Sequence, residues 1–430
     1  DEAPTGSGGF TTTRRVVLMA LLAGITGSQA SCSKAKSTPK EVKTLEGTPG
    51  LIILGIDGMD YNLTRRYMRE GKLPNFKKLA DAQEFRALET TFPPQSPVAW
   101  ASFMTGLHPE GHGIYDFVHR DPKDISPYLS TSKAETPDCT IVLGSLALPY
   151  CEAQILSLRR GVPFWESLEG DSIGATIYKM PANFPPEEQW AQKTLSGMGT
   201  PDIMGTYGTF QALTNDPQFV GKTPSGGIIH EVKFAGQLAQ TQIHGPPDPY
   251  TVGNPVMPIS SPREFATELA QDAGRYYTQG MPEDTKALAA NVLSDSEFLQ
   301  QADSIFQERM RLLDHALEDY DGGVMFFYFS SLDQLCHVFW RTLDVPEGHE
   351  LYEHRNTIPD IYQEMDRMLG QVLERVPEGT EVLVVSDHGF SPYTYKVHLN
   401  TWLYEQGYLV LREDEMGITG LRGSRFTGDT

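Results

Sequence analysis

The chain has 430 residues, with hydrophobic residues at 39%, aromatics at 10% and charged residues at 21%, a globular composition that excludes fibrous and wholly disordered classes. A formal net charge of −21 repels phosphate backbones, so a nucleic-acid-coating role is excluded and any phosphate-bearing substrate must be attracted locally, by a metal ion for example. Four cysteines without C-x-x-C spacing exclude a disulfide scaffold, a zinc ribbon and a thioredoxin-type site.

Residues 1–50 read as an export signal and linker. Arg14-Arg15 precedes an apolar run from Val16 to Ile25, shorter than the ~18 residues of a membrane-spanning helix, and the pattern resembles a twin-arginine leader. Cys32 follows Gln29-Ala30-Ser31, a poor lipoprotein box, so a lipid anchor at the membrane surface is an open alternative. An exported protein, periplasmic or at the cell surface, is expected. Ser33 to Gly50 reads as a linker, and Gly417 to Thr430 as an incomplete end.

Leu51–Ile56 is a continuous apolar run, as expected for a strand buried on both faces of a parallel sheet, and it ends at Asp57-Gly58. Helices are predicted over Tyr61–Arg69 and, opened by Pro74, over Asn75–Ala80. Ser96 before Pro97 predicts a helix N-cap with proline at the first helical position, in a helix that looks regular from Val98. Pro163-Phe164-Trp165 and Gly174 to Tyr178 are compatible with a helix-to-strand unit of the main sheet, whereas the Gly- and Pro-rich Gln218 to Pro258 reads as an inserted hairpin or cap with a β-like piece at Ile228 to Phe234. Helical patterns return over Pro262–Tyr277 and Ser294–Asp319. Val324–Phe329 and Glu381–Val385 are again apolar runs, with the periodic helix Ile361–Arg375 between them, the grammar of an α/β sheet. The expected organisation is a catalytic domain over 51–430 with an insert from roughly Arg120 to Gln300.

Asp57, Asp333, His337, Asp387, His388 and His398 each lie at or just beyond the end of an apolar run. Ligands of open α/β sheets bind outside the carboxyl ends of the strands, so these six converge on one crevice. Asp333 and His337 share a face on one helical turn. Three carboxylates and three imidazoles suit zinc, with manganese or magnesium as alternatives, and one ion would leave donors unused, so two divalent metal ions are expected. Taken singly, each residue has a plainer role: Asp57-Gly58 as a turn, Asp333 and His337 as a solvated helix face. Ser96 is the candidate nucleophile, because a helix N-terminus with free N–H groups favours an anion or alkoxide and a metal would lower its hydroxyl pKa.

In chain order, Asp57, Ser96 ahead of Thr105-Gly106-Leu107-His108-Pro109-Glu110-Gly111-His112-Gly113-Ile114, Asp333 with His337, Asp387-His388-Gly389 and His398 resemble the alkaline phosphatase superfamily, and more closely its type I phosphodiesterase/nucleotide pyrophosphatase branch. The resemblance runs from residue 51 to about residue 400 and implies a three-layer α/β sandwich, a mostly parallel sheet flanked by helices. It implies that Asp57, Ser96, Asp387 and His388 hold one zinc-like ion and that Asp333, His337 and His398 hold the other. It further implies a small-molecule phosphate ester or nucleotide substrate, attacked in line by Ser96 to give a phosphoseryl intermediate. Ser102 is the rival hydroxyl but falls inside the helix, and His112 belongs to the structural motif. The branch usually carries an Asn that contacts the phosphate where this chain has Phe117; Tyr395, Lys396 and Asn400 are candidate substitutes.

A phosphomonoesterase, phosphomutase or sulfatase-like member of the same superfamily is the second reading, and a non-catalytic, metal-stabilised surface-binding lipoprotein the third. Against a sulfatase, Ser96-Pro97-Val98-Ala99 lacks the Arg of C/S-x-P-x-R. Cys139 and Cys151 are either a disulfide or two buried thiols, and Cys336 is core.

Overall fold

The computed structural model describes residues 50–410 apart from short internal stretches, the longest being 242–256. The Arg14-Arg15 leader, Cys32, Cys139, Cys151 and the segment 417–430 lie outside the described residues. Among the described residues no helix is long and apolar enough to cross a membrane.

Six strands form the central sheet: β1 (Leu51–Ile56), β2 (Ala175–Met180), β3 (Gln192–Ser196), β4 (Ser260–Ser261), β5 (Val324–Phe329) and β6 (Glu381–Val385). Their order is β4-β3-β2-β5-β1-β6. Every pairing is parallel except that of β4 with β3. β1 is thus flanked by β5 and β6, and β1 and β5 are buried almost throughout, which is why their sequences show no polar alternation.

Successive side chains of these strands still leave on opposite faces. Ile52, Leu54 and Ile56 join Met325, Phe327 and Phe329 in one core cluster. The helices that join it include α1 (Tyr61–Arg69), α3 (Asp295–Glu318), α4 (Ser331–Phe339) and α5 (Thr357–Arg375), with Phe76 of the helix Pro74–Ala82 and Phe265 of the helix Phe265–Asp272 in the same cluster. Ile53, Phe326 and Tyr328 point the other way, toward Trp100 and Met104 of α2 (Ser96–Thr105) and Trp165 of the helix Phe164–Gly170. Helices on both sides of a mostly parallel sheet make the three-layer α/β sandwich. The helix ends follow their sequence signals. Asp60 accepts from Leu63 N at the start of α1, and Ser294 with Glu297 forms a reciprocal capping box that starts α3, each satisfying N–H groups the helix leaves unpaired.

Within the stretch 120–300 expected as an insert, β2, β3 and β4 supply half of the central sheet. Among the described residues, three two-stranded ribbons between Val118 and Ser157 and a four-stranded sheet made from Gln211–Thr214, Gly221–Lys222, Ile228–Glu231 and Ala239–Thr241 stand apart from that sheet. The short strands β3 and β4 carry polar residues and were therefore hidden from a search for apolar runs. The helix predicted over Pro262–Tyr277 is confined to Phe265–Asp272, because Gly274 takes a left-handed φ of +83° that no continuing helix admits.

One glycine sets the spacing between the sheet and α2. A Cβ on Gly55 would stand 2.8 Å from both Trp100 Cη2 and Phe326 Cζ, so the indole lies against bare backbone. Gly55→Ala should destabilise the fold by about 1–3 kcal/mol through overpacking, read as a lowered midpoint of urea unfolding.

Candidate active site

Parallel pairing in register delivers three chain segments to one edge of the sheet. Ile56 lies beside Phe329 and Gly55 beside Val385, and Asp57 N donates to Phe329 O at 3.0 Å. Asp57 therefore sits level with the turn that enters α4, and with Ser386, Asp387 and His388 beyond β6. Gly58, at φ +66°, turns the chain away and donates its N–H to Asp387 Oδ1 at 3.2 Å. A Cβ there would meet Phe390 at 2.6 Å and Asp333 Oδ1 at 2.9 Å, so the turn needs glycine for space as well as for φ.

Asp57, Asp333, Asp387 and Ser96 are buried, and His388 is partly so. Asp57, Asp333 and His388 each present a ligand atom, all within 4.8 Å of one another. His388 Nε2 lies 3.5 Å from Asp57 Oδ1, 3.5 Å from Asp387 Oδ2 and 3.9 Å from Asp333 Oδ1. On α4, one turn beyond Asp333, His337 Nε2 stands 3.4 Å from Asp333 Oδ1, with its side chain largely exposed. His398, half-buried just ahead of the helix Leu399–Glu405, has no hydrogen bond or ion pair to the other six residues among the described ones. The crevice thus brings together Asp57, Ser96, Asp333, His337, Asp387 and His388.

Ser96 departs from its expected local role. Gln95 is the N-cap of α2, and Ser96 is the first helical residue with no capping bond. Its Oγ instead lies 3.1 Å from His388 Nε2 and 3.4 Å from Asp57 Oδ1. The expected cradle of free amides is smaller than the sequence suggested: Val98 and Ala99 donate to Gln95 O and Pro97 has no N–H, which leaves the N–H of Ser96. His388 Nδ1 lies 3.0 Å from Gly389 O. A carbonyl only accepts, so Nδ1 donates there, and Nε2 is the ring nitrogen that faces the Ser96 hydroxyl and the carboxylates. His112 works elsewhere: Ile114 N donates to its Nδ1, and its Nε2 lies 3.0 Å from Ser102 Oγ. Burial, then Arg159, lowers its pKa to about 4. It is a neutral structural imidazole, and Ser102 is its partner.

Charge is the unresolved feature of this crevice. Among the described residues no lysine or arginine forms an ion pair with Asp57, Asp333 or Asp387. Burial first, then the Asp387 and Asp333 charges, pushes the Asp57 carboxyl well above the usual range. Asp387 is also raised, by burial first. The Asp333 carboxylate 3.4 Å away raises the His337 pKa. Asp333 Oδ1 and Asp387 Oδ2 are buried without a hydrogen-bond partner. Two orphaned carboxylate oxygens beside an imidazole nitrogen suit a hard or borderline divalent cation, which would satisfy the oxygens and cancel the repulsion.

Two further residues of the crevice carry no sequence signal. Tyr328 Oη and Trp100 Nε1, the latter at 3.4 Å, both donate to Asp57 Oδ2. Both sit within apolar runs and read as core. Phe117, where an amide was expected by resemblance, packs half-buried against the Trp100 cluster. Of its candidate substitutes, Tyr395 is exposed, the Asn400 side chain is outside the description, and Lys396 lies outside the described residues. Cys336 is a buried free thiol, as expected of core.

The family model described as type I phosphodiesterase / nucleotide pyrophosphatase matches residues 51–427. No curated protein matches the chain.

The elevated Asp57 pKa has a consequence for the metal-free protein. A carboxyl whose native pKa exceeds its unfolded one costs stability as pH rises through that interval. Asp57→Asn removes the charge and keeps an acceptor. With chelator present, this variant should melt above the wild type near neutral pH, and the gap should shrink on acidification toward about pH 5, as followed by differential scanning fluorimetry.

Proposed function

The chain belongs to the type I phosphodiesterase/nucleotide pyrophosphatase family of phosphoric ester hydrolases, and from that premise we propose that it cleaves small phosphodiesters or nucleotide pyrophosphates with Ser96 as the nucleophile. The observation that supports this most directly is the Ser96 hydroxyl, buried at the first residue of α2 and 3.1 Å from His388 Nε2.

Asp57, Ser96, Asp387 and His388 would hold one divalent ion and Asp333, His337 and His398 a second, zinc first. The orphaned Asp333 Oδ1 and Asp387 Oδ2 are the fit to such a group that the chain itself presents. When bound, the ions would lower the hydroxyl pKa and offset charge on the phosphoryl oxygens. The residues do the rest. No general-base side chain is required: the Ser96 proton passes to solvent, Oγ attacks phosphorus in line, and the alkoxide of the ester leaves as a phosphoseryl group forms. Water then cleaves that ester and returns the proton to Oγ. The buried N-terminal end of α2 favours the anion throughout.

Phe117 supplies no donor to a non-bridging oxygen, so a monoester is the second substrate class. Export through the Arg14-Arg15 leader, to the periplasm or cell surface, completes the proposal and rests on the sequence.

Ser96→Ala should lower kcat for bis(p-nitrophenyl) phosphate by about a thousandfold or more while the protein still binds zinc. The test is a panel of that diester, p-nitrophenyl phosphate and a dinucleotide pyrophosphate under added zinc or manganese; full activity in purified Ser96→Ala would remove the nucleophile assignment.

A further inference from the structure

Asp57 is gripped from behind. Its Oδ2 accepts from Tyr328 Oη and from Trp100 Nε1 at 3.4 Å, whereas its Oδ1 is the atom 3.4 Å from Ser96 Oγ and 3.5 Å from His388 Nε2. All three residues of the grip are essentially without solvent contact. Tyr328 is the next-to-last residue of β5 and projects from the face that carries Ile53 and Phe326, where α2 packs. The Trp100 and Tyr328 rings meet edge to face with centroids 5.6 Å apart, so each donor also holds the other in place. Gly55 is the bare stretch of β1 on which the indole lies.

A carboxylate with both oxygens free can rotate about its χ2 bond or bind a cation through two atoms. Two neutral donors on a single oxygen remove that freedom without adding a counter-charge that would compete with a cation. On the reading of the site proposed above, we infer that Tyr328 and Trp100 are positioning residues that commit Asp57 to the site through Oδ1 alone, holding Oδ2 out of the metal shell. Neither donor touches substrate. They act through Asp57, on how tightly the site takes a cation and how Ser96 is aligned.

The test compares three full-length proteins: wild type, Tyr328→Phe and Tyr178→Phe. Tyr178 is the matched control, a buried tyrosine of β2 whose hydroxyl has no hydrogen-bond partner. Zinc affinity is measured by competition with a chromophoric chelator, and kcat and KM with bis(p-nitrophenyl) phosphate at saturating zinc. Loss of an outer-shell partner typically weakens a metal site about 10- to 100-fold. Tyr328→Phe should show a zinc Kd raised by about that factor and a lowered kcat with KM little changed, while Tyr178→Phe keeps both wild-type values. Trp100→Phe, which keeps an aromatic ring and removes the N–H, should shift zinc affinity in the same direction by less. Wild-type zinc affinity and kcat in a folded Tyr328→Phe protein would overturn the inference alone. Equal losses in Tyr178→Phe would overturn it too, by showing a general response of the sheet. A wild-type protein that neither binds zinc nor turns over the diester would overturn the functional reading beneath it.

Discussion

The protein is organised around an electrostatic problem: three carboxylates, Asp57, Asp333 and Asp387, are buried at one edge of a sheet with no lysine or arginine paired to them among the described residues. Like charges in a low-dielectric site repel strongly, and each desolvated carboxylate loses hydration as well. The upward shifts of Asp57 and Asp387 are the direct expression of that cost. A structure keeps such an arrangement where something else supplies positive charge, and the two orphaned oxygens mark where it would act.

The rest of the architecture can be read as support for that edge. Parallel strands in register cannot scatter their ends, so β1, β5 and β6 carry Asp57, the start of α4 and Asp387-His388 to the same level. The apolar runs that look redundant in the sequence do two things at once. Their even and odd positions build the two core layers, and their final residues aim the polar groups. The Gly55, Trp100 and Tyr328 arrangement shows how closely the layers are coupled: a missing side chain on the strand admits an indole, and the indole reaches the carboxylate at the strand's end.

Ser96 illustrates a local rule set aside by a longer-range one. Serine before proline at a helix start ordinarily caps, and the helix does start there. The hydroxyl nevertheless turns from the backbone to His388 and Asp57. The cap bond it forgoes would contribute roughly 1 kcal/mol, and the 3.1 Å contact with His388 Nε2 takes its place once β1 and β6 have brought those partners near. The Nδ1 bond of His388 to Gly389 O fixes the ring so that Nε2 faces the hydroxyl.

Strands β1, β5 and β6, helices α1 and α3 and the pairing of Asp333 with His337 were legible because each depends on neighbours a few residues away: an unbroken apolar run, a capping serine, an i,i+4 spacing. The polar edge strands β3 and β4, and with them the true extent of the sheet between 120 and 300, were not, since short strands are stabilised by the partner they pair with and not by their own composition. Tyr328 and Trp100 were read only as core because hydrophobic periodicity cannot say what a phenol or indole reaches at its polar tip. The residue types able to make a metallohydrolase site were thus set by the amino-acid sequence alone. Which carboxylate oxygen and which imidazole nitrogen face the serine were decided by tertiary packing, since those depend on distances between segments up to about three hundred residues apart.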